Sequence, residues 1–434
     1  MKPNIAVLLA LLPAVCASSI SQSSDKRTRG ADLAPDQIRK LRIDRLLPDV
    51  MREHGVECWL VFTRESARDP IAENIAGGSV VARAAFVFYF DKTGKFHRVA
   101  IVASYDSDPP TRSGIYENVI SYREEGVKPH LRKLIEETSP QRVAVDFSRD
   151  DALADGLTFG MRDYLIEALG QEIAGKLISA EDVVVSYRSR KLPEEIDLYQ
   201  RAVEMTQQII VSSLSSRGVT PGKTTEADIA RLLEERTRGL GAEVAFSSVV
   251  VGALRGHSSP TETVVQRGDL IRIDFGISWR GFKTDIQRTA YVLREDENAA
   301  PPRIRKMWDT AVTANRAAVL AMKPGATGLA VDTAARAVVT GAGYREYPHA
   351  TGHPVGYEVH DAGAVLGPDW KERYGSRVTR KLEINQLFAV EPAVNDFDPG
   401  SKSEIGIGLE EDVVIEKGGA RYLGMPQVAL ILIR

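Results

Sequence analysis

Whatever fold this 434-residue chain adopts has to accommodate Asp274 in LIRIDFG, Asp285 in FKTDIQRT, His353 in ATGHPVG, Glu391 in FAVEPAV and Glu410 in GIGLEEDVV. If these five side chains meet, four carboxylates crowd one another. Two unit charges about 4 Å apart repel by roughly 4 kcal/mol at an effective dielectric of about 20, so the set is stable only with cations among them. Four carboxylates and one imidazole form a hard, oxygen-rich donor set. It suits Mn²⁺, Co²⁺ or Fe²⁺ rather than the thiolate site of a structural zinc. Two divalent ions about 3.5–4 Å apart can share a water and lower its pKa from about 15.7 towards ~7. That supplies hydroxide at neutral pH without a Ser or Cys nucleophile.

The stretch LIRIDFGISWRGFKTDIQRTAYV predicts a β-hairpin. Leu270, Ile271, Ile273, Phe275 and Ile277 lead to a Trp279-Arg280-Gly281 turn, and a second strand follows. Asp274 and Asp285 lie on its two arms and are expected to face each other across the ladder. Either aspartate alone reads as a turn or edge-strand residue; the constellation carries the argument.

The motifs I-D-F-G…G-x-x-x-D-I-x-R-T, T-G-H-x-x-G-x-x-V-H-D, V-E-P and L-E-x-D-V-V-I follow one another over roughly residues 190–430, after the helix entry KLPEEIDLYQRA. In order and spacing they resemble the pita-bread metallopeptidases, the family of methionine aminopeptidase, aminopeptidase P and prolidase. The front half resembles, more loosely, the accessory domain of the prolidase and aminopeptidase P branch. The fold implied is an α/β N-terminal domain followed by an α+β pita-bread domain with pseudo-two-fold symmetry.

The resemblance also implies roles. Asp285 and Glu410 would bridge two divalent ions, Mn foremost with Co, Fe or Zn as alternatives. Asp274 would sit on one ion, and His353 and Glu391 on the other. Glu391 would shuttle the water's proton to the leaving nitrogen, while His257 and His360 would line the substrate pocket and steady the oxyanion. His349 is expected to have a packing role. The activity implied is hydrolysis of N-terminal Xaa-Pro bonds by a metal-bridging hydroxide, in a chain that forms a homodimer. Another chemistry on the same scaffold stays open, as does a non-catalytic binding module, although the complete ligand set counts against the latter. Two positions depart from the family pattern. Pro354 follows the ligand histidine where Gly is usual, and Gly408 stands where that branch places Arg, two residues before the last glutamate.

Lys2, the apolar run Ile5 to Val15 and the small-residue site Val15-Cys16-Ala17 predict a secretory signal peptide cut after Ala17, a segment too short to span a bilayer. Val15 before Cys16 fits a lipoprotein box poorly. Cleavage would leave Cys58 as the one thiol, so no internal disulfide is expected. A net charge of −3 offers no basic field for nucleic acid, and no other segment is long and apolar enough for a membrane span. A disordered lead-in is expected over 18–35, the accessory domain over 36–190 and the pita-bread domain over 191–434. The front domain should alternate strands and helices, beginning with one helix over roughly 36–54. In the second domain Pro193 and Thr225-x-x-Asp228 should open helices, and two more are expected over 302–322 and 328–341. Strands should carry Glu391 and Glu410.

Overall fold

The computed structural model describes residues 33–76, 80–256 and 258–434. The predicted signal peptide, most of the lead-in and His257 lie outside the described residues.

Apolar runs build the first unit. Strands β1 (Cys58–Thr63), β2 (Ala84–Phe90), β3 (Phe96–Ala103), β4 (Asn118–Tyr122), β5 (Val143–Val145) and β6 (Leu177–Ser179) form one mixed sheet in the order β4-β3-β2-β1-β5-β6. CWLVFT is buried along its whole length because both faces of the sheet are covered. Trp59 and Val61 join a core with Leu47, Val50 and Tyr187, while Cys58, Leu60 and Phe62 face Leu131, Ile135 and Leu165 on the other side. The single helix expected at the start is two, Pro35–Arg45 and Leu47–Glu53. Pro48 has no N–H to continue the first helix, which therefore stops.

In the second unit, β7 (Glu243–Val251), β8 (Leu270–Trp279), β9 (Phe282–Lys283), β10 (Ile286–Val292) and the C-terminal β17 (Ile431–Ile433) form one sheet. Strands β11 (Gly352–Pro354), β12 (Leu387–Val390), β15 (Glu411–Glu416) and β16 (Gly419–Tyr422) form another, and β13 (Ala393–Asp398) pairs with β14 (Ser403–Gly408) between them. Each of the two larger sheets packs on a pair of helices, which is the pseudo-two-fold plan expected. Pro193–Ser213 and Glu226–Gly239 cover the first; Pro302–Ala321 and Gly328–Gly341 cover the second. Thr225 caps its helix as foreseen, accepting the Asp228 N–H at 3.1 Å while Asp228 accepts the Thr225 N–H at 2.9 Å.

Alternation along β8 decides where the chemistry lies. Ile271, Ile273, Phe275 and Ile277 join the core under the helix at Pro193, with Tyr199, Val203 and Ile210. The intervening residues, Arg272 and Asp274 among them, therefore point to the opposite face, towards the second sheet. Among the described residues no helix is long and apolar enough to cross a membrane.

The two units meet at a buried ion pair. Arg42 Nη1 lies 2.6 Å from Glu195 Oε2 and 2.9 Å from the Arg190 carbonyl; both charged side chains are buried. Glu195 also accepts the Leu192 N–H at 2.7 Å and the Tyr357 hydroxyl. Arg42→Ala would strand the Glu195 charge in the interior. It is expected to cost about 3–5 kcal/mol of stability, measurable as a lower urea midpoint with an unchanged slope.

Candidate metal centre

The five predicted ligands converge. Asp274 is within β8 and His353 is the middle residue of β11, but the other three occupy breaks: Asp285 between β9 and β10, Glu391 between β12 and β13, Glu410 between β14 and β15. The expectation that strands carry Glu391 and Glu410 is corrected to that extent. A residue at a break is freed from strict alternation, so its carboxylate can turn into the seam between the sheets. The two aspartates do not sit directly opposite each other. Asp274 is paired with Gln287, and Asp285 lies diagonally across on the same face.

His353 Nε2 is 3.5 Å from Asp285 Oδ2 and 3.7 Å from Glu391 Oε1. Asp285, His353 and Glu410 each offer one ligand atom within 4.8 Å of the others. Asp285 and Glu410 are in hydrogen-bonding contact, and the charge of Asp274 acts on Asp285, Glu391 and Glu410. Burial, followed by mutual repulsion, holds the Asp285 and Glu410 carboxyls well above the usual carboxylate range, and the same two causes push Glu391 up to about 8. Burial and then the neighbouring His360 hold the His353 imidazole down at about 3, in the neutral form that ligates metal. Asp285 Oδ1 is buried with no hydrogen-bond partner. Oxygen donors, a neutral imidazole, crowded acids and an orphaned carboxylate oxygen together fit divalent cations.

Small residues make the approach feasible. A side chain at Gly276 would overlap the Thr284 carbonyl, and one at Gly352 would overlap the Ala389 carbonyl. Behind the ligands stand partners to which the sequence motifs assigned no role. Asp412 Oδ2 accepts the Asp285 N–H at 3.2 Å and the Tyr199 hydroxyl at 3.0 Å, tying the ligand to the helix at Pro193. Arg288 donates to the Glu410 carbonyl at 2.8 Å and to Glu411 at 2.9 Å. Thr351 accepts the Glu391 N–H at 2.7 Å through its carbonyl and donates its hydroxyl to Asp332 at 2.8 Å. Asp412, Arg288 and Thr351 all lie inside the motif stretches, so position beside a ligand was the available signal.

The His360 ring packs 4.1 Å from that of His353 and is exposed, as a pocket residue requires. His349 packs on Tyr347, with ring centroids 5.1 Å apart, but its Nδ1 also lies 3.8 Å from Glu391 Oε2. It therefore borders the centre as well as filling space. Pro354 fits because β11 is an edge strand, where a missing N–H is tolerated. At Gly408 the slot is filled by Gln287 and Arg272.

Residues 197–417 match the family model Peptidase_M24, metallopeptidase family M24. The chain belongs to this family. The M24 family is dinuclear-metal-dependent, in keeping with the acidic cluster. The Xaa-Pro dipeptidase of Pyrococcus furiosus is 28% identical over 248 residues, covering 56% of this chain and 65% of that protein. The chain's match thus spans just under two thirds of that relative's length. Among solved structures, the X-Pro aminopeptidase of Thermotoga maritima superposes with a TM-score of 0.68 at 22% identity, covering 88% of this chain and 99% of the other. The Xaa-Pro dipeptidase of Bacillus anthracis superposes at 0.69 and 22%, covering 91% and 99%. These likenesses show the M24 fold, with its N-terminal α/β domain.

The crowding has a measurable consequence in metal-free protein. A Glu391 pKa near 8, against an ordinary 4.5, means that the folded state holds a proton the unfolded chain has released; this favours folding at low pH and is lost as pH rises through about 8. His353, at about 3 against 6.5, acts in the opposite sense but only below 6.5. Chelator-treated protein should therefore lose thermal stability between pH 6.5 and 8. Two equivalents of Mn²⁺ should abolish that loss. A melting temperature flat across this window without metal would contradict the assignment.

Proposed function

We propose that this chain is an exported peptidase that hydrolyses N-terminal Xaa-Pro bonds with two divalent ions, Mn foremost, and that it works as a homodimer. The observation that carries the reading is the five-residue donor set, four of its members buried, with its orphaned Asp285 oxygen, on an M24 scaffold. The Pyrococcus furiosus relative, an Xaa-Pro dipeptidase, supports the Xaa-Pro preference. Export rests on the N-terminal Lys2, apolar run and Ala17 cleavage site.

When bound, the ions would supply a water acidic enough to attack an amide carbonyl near neutral pH, as the metal-bridging hydroxide foreseen from sequence. Asp285 and Glu410 would hold both ions, Asp274 one, and His353 and Glu391 the other. Glu391 is the ligand suited to move a proton. Its side chain is 19% exposed, against 6% for Asp285 and 9% for His353, so it borders both the cluster and the open cleft. A departing proline nitrogen must be protonated, and Glu391 would hand it the proton taken from the water. His360, stacked on His353 and open to the cleft, would donate to the developing oxyanion.

Chelator-stripped protein refilled stepwise with Mn²⁺ or Co²⁺ should gain activity up to about two equivalents and prefer Xaa-Pro over Xaa-Ala peptides. Tight metal binding without cleavage of any peptide would favour different chemistry on the same scaffold, a reading to which the altered slot at Gly408 lends some support. Glu391→Gln is expected to retain both metals and the fold while lowering kcat by about 100-fold or more. Asp285→Ala should lose metal, as read by elemental analysis after dialysis. Full metal content in that variant would remove Asp285 from the bridging role.

A further inference from the structure

Beside Asp274, two glycines of β14 leave room for polar side chains from the neighbouring sheet. Arg272, Asp274, Gln287 and Thr289 share one face of β8 and β10, with Gln287 directly opposite Asp274 and Thr289 opposite Arg272. Thr289 is engaged with β14: its Oγ1 donates to the Gly408 carbonyl at 2.7 Å and accepts the Gly408 N–H at 3.2 Å. A side chain at Gly408 would overlap the Gln287 carboxamide and come within 3.0 Å of Arg272 Cδ. One at Gly406 would come within 3.3 Å of Arg272 Nη1 and 2.7 Å of Asn395 Oδ1. The Arg272 side chain thus runs along β14 from Gly408 to Gly406.

What stands out is the want of partners. Gln287 is nine-tenths buried, yet neither its carboxamide nor the Arg272 guanidinium has a hydrogen bond among the described residues. Asn395 Oδ1, which borders the guanidinium end of the slot, is also buried without one. The charge acting on Arg272 is that of Asp274, which the metal centre already uses. Unlike Asn395 Oδ1, the polar atoms of Arg272 and Gln287 are not sealed from solvent, so a guanidinium and a carboxamide stand side by side and open to an incoming group. Five guanidinium N–H donors and an amide N–H match a carboxylate. Arg272 and Asp274 are two strand residues apart, about 7 Å along the backbone, a separation that one or two extended peptide residues span.

We propose that Arg272 and Gln287 form a carboxylate-binding subsite on the Asp274 side of the metal centre, one that selects substrates with a carboxylate close to the scissile bond. This rests on the peptidase reading and deepens it. The carboxylate has two possible sources, the free C-terminus of a dipeptide and an acidic side chain in a longer peptide.

The test compares metal-loaded wild type with Arg272→Met, which keeps most of the stem and removes the charge. One substrate pair is Ala-Pro and Ala-Pro-amide; the other is Ala-Pro-Glu-amide and Ala-Pro-Gln-amide. Wild type should favour the carboxylate in one pair by about ten- to a hundred-fold in kcat/KM, and the favoured pair names the source. In Arg272→Met that ratio should fall to within about two-fold with metal content unchanged, and Arg272→Lys should restore part of it. A wild type indifferent in both pairs overturns the subsite, as does a ratio that survives Arg272→Met. So does loss of metal in that variant, which would make Arg272 a positioning residue for Asp274. If wild type cleaves none of the four, the peptidase reading fails separately. Calorimetry then decides the subsite: proline should bind wild type at least about ten-fold more tightly than prolinamide, and equal binding by the two proteins overturns it.

Discussion

Electrostatic repulsion among buried acids is the constraint on which the rest of this molecule turns. Asp274, Asp285 and Glu410 are each more than nine-tenths buried, and Glu391 lies beside them. Left to themselves such acids must retain protons or separate, and the raised pKa values of Asp285, Glu391 and Glu410 mark retention as what the fold imposes on those three. Holding them together takes a second ring of contacts. Asp412 fixes the backbone of Asp285, Arg288 fixes that of Glu410, and Thr351 fixes that of Glu391. Most of these bonds reach the main chain and not the carboxylates, so the acids are positioned while their oxygens stay available.

The same economy of placement explains why sheet strands surround the centre but only partly contain it. On β8 the even-numbered residues face the seam while the odd-numbered ones build the hydrophobic core, so one strand serves stability and chemistry at once. Breaks at Asp285, Glu391 and Glu410 let three further side chains leave the ladder. The ion pair between Arg188 of the first unit and Asp361, both buried, anchors the loop that carries His360, and Arg188 also donates to Asn74 Oδ1 at 2.7 Å. The N-terminal unit is thereby connected to the loop whose His360 packs on His353.

That Asp274, Asp285, His353, Glu391 and Glu410 belong together was legible in the chain, because hard-metal donors embedded in distinctive local patterns need no knowledge of tertiary contacts. So were the helices at Pro193, Thr225, Pro302 and Gly328, each announced by a Pro or a capping residue. What local pattern did not convey was geometry that depends on distant segments. The diagonal offset of the aspartates follows from where the hairpin turns, and the break at Glu391 follows from where β12 leaves its partner. The loss of an arginine at Gly408 was visible in the chain. That Arg272 and Gln287 enter the vacated volume was not, because the three positions meet only when β14 crosses β8 and β10.

The strand breaks carry one more implication. Asp285 belongs to the first sheet's edge of the seam, while Glu391, Glu410 and His353 belong to the second and to the β13–β14 ribbon. Ions gripped from both sides would act as rivets through a joint that few backbone hydrogen bonds cross, Lys283 N–H to the Gly356 carbonyl at 2.7 Å among them. Because such ions bind the folded chain and not the unfolded one, they stabilise it in proportion to the logarithm of their concentration. With ions held there, the tightness of this seam, and with it the molecule's resistance to being pried open by proteases, would depend on the metal supply of its surroundings as well as on its own side chains.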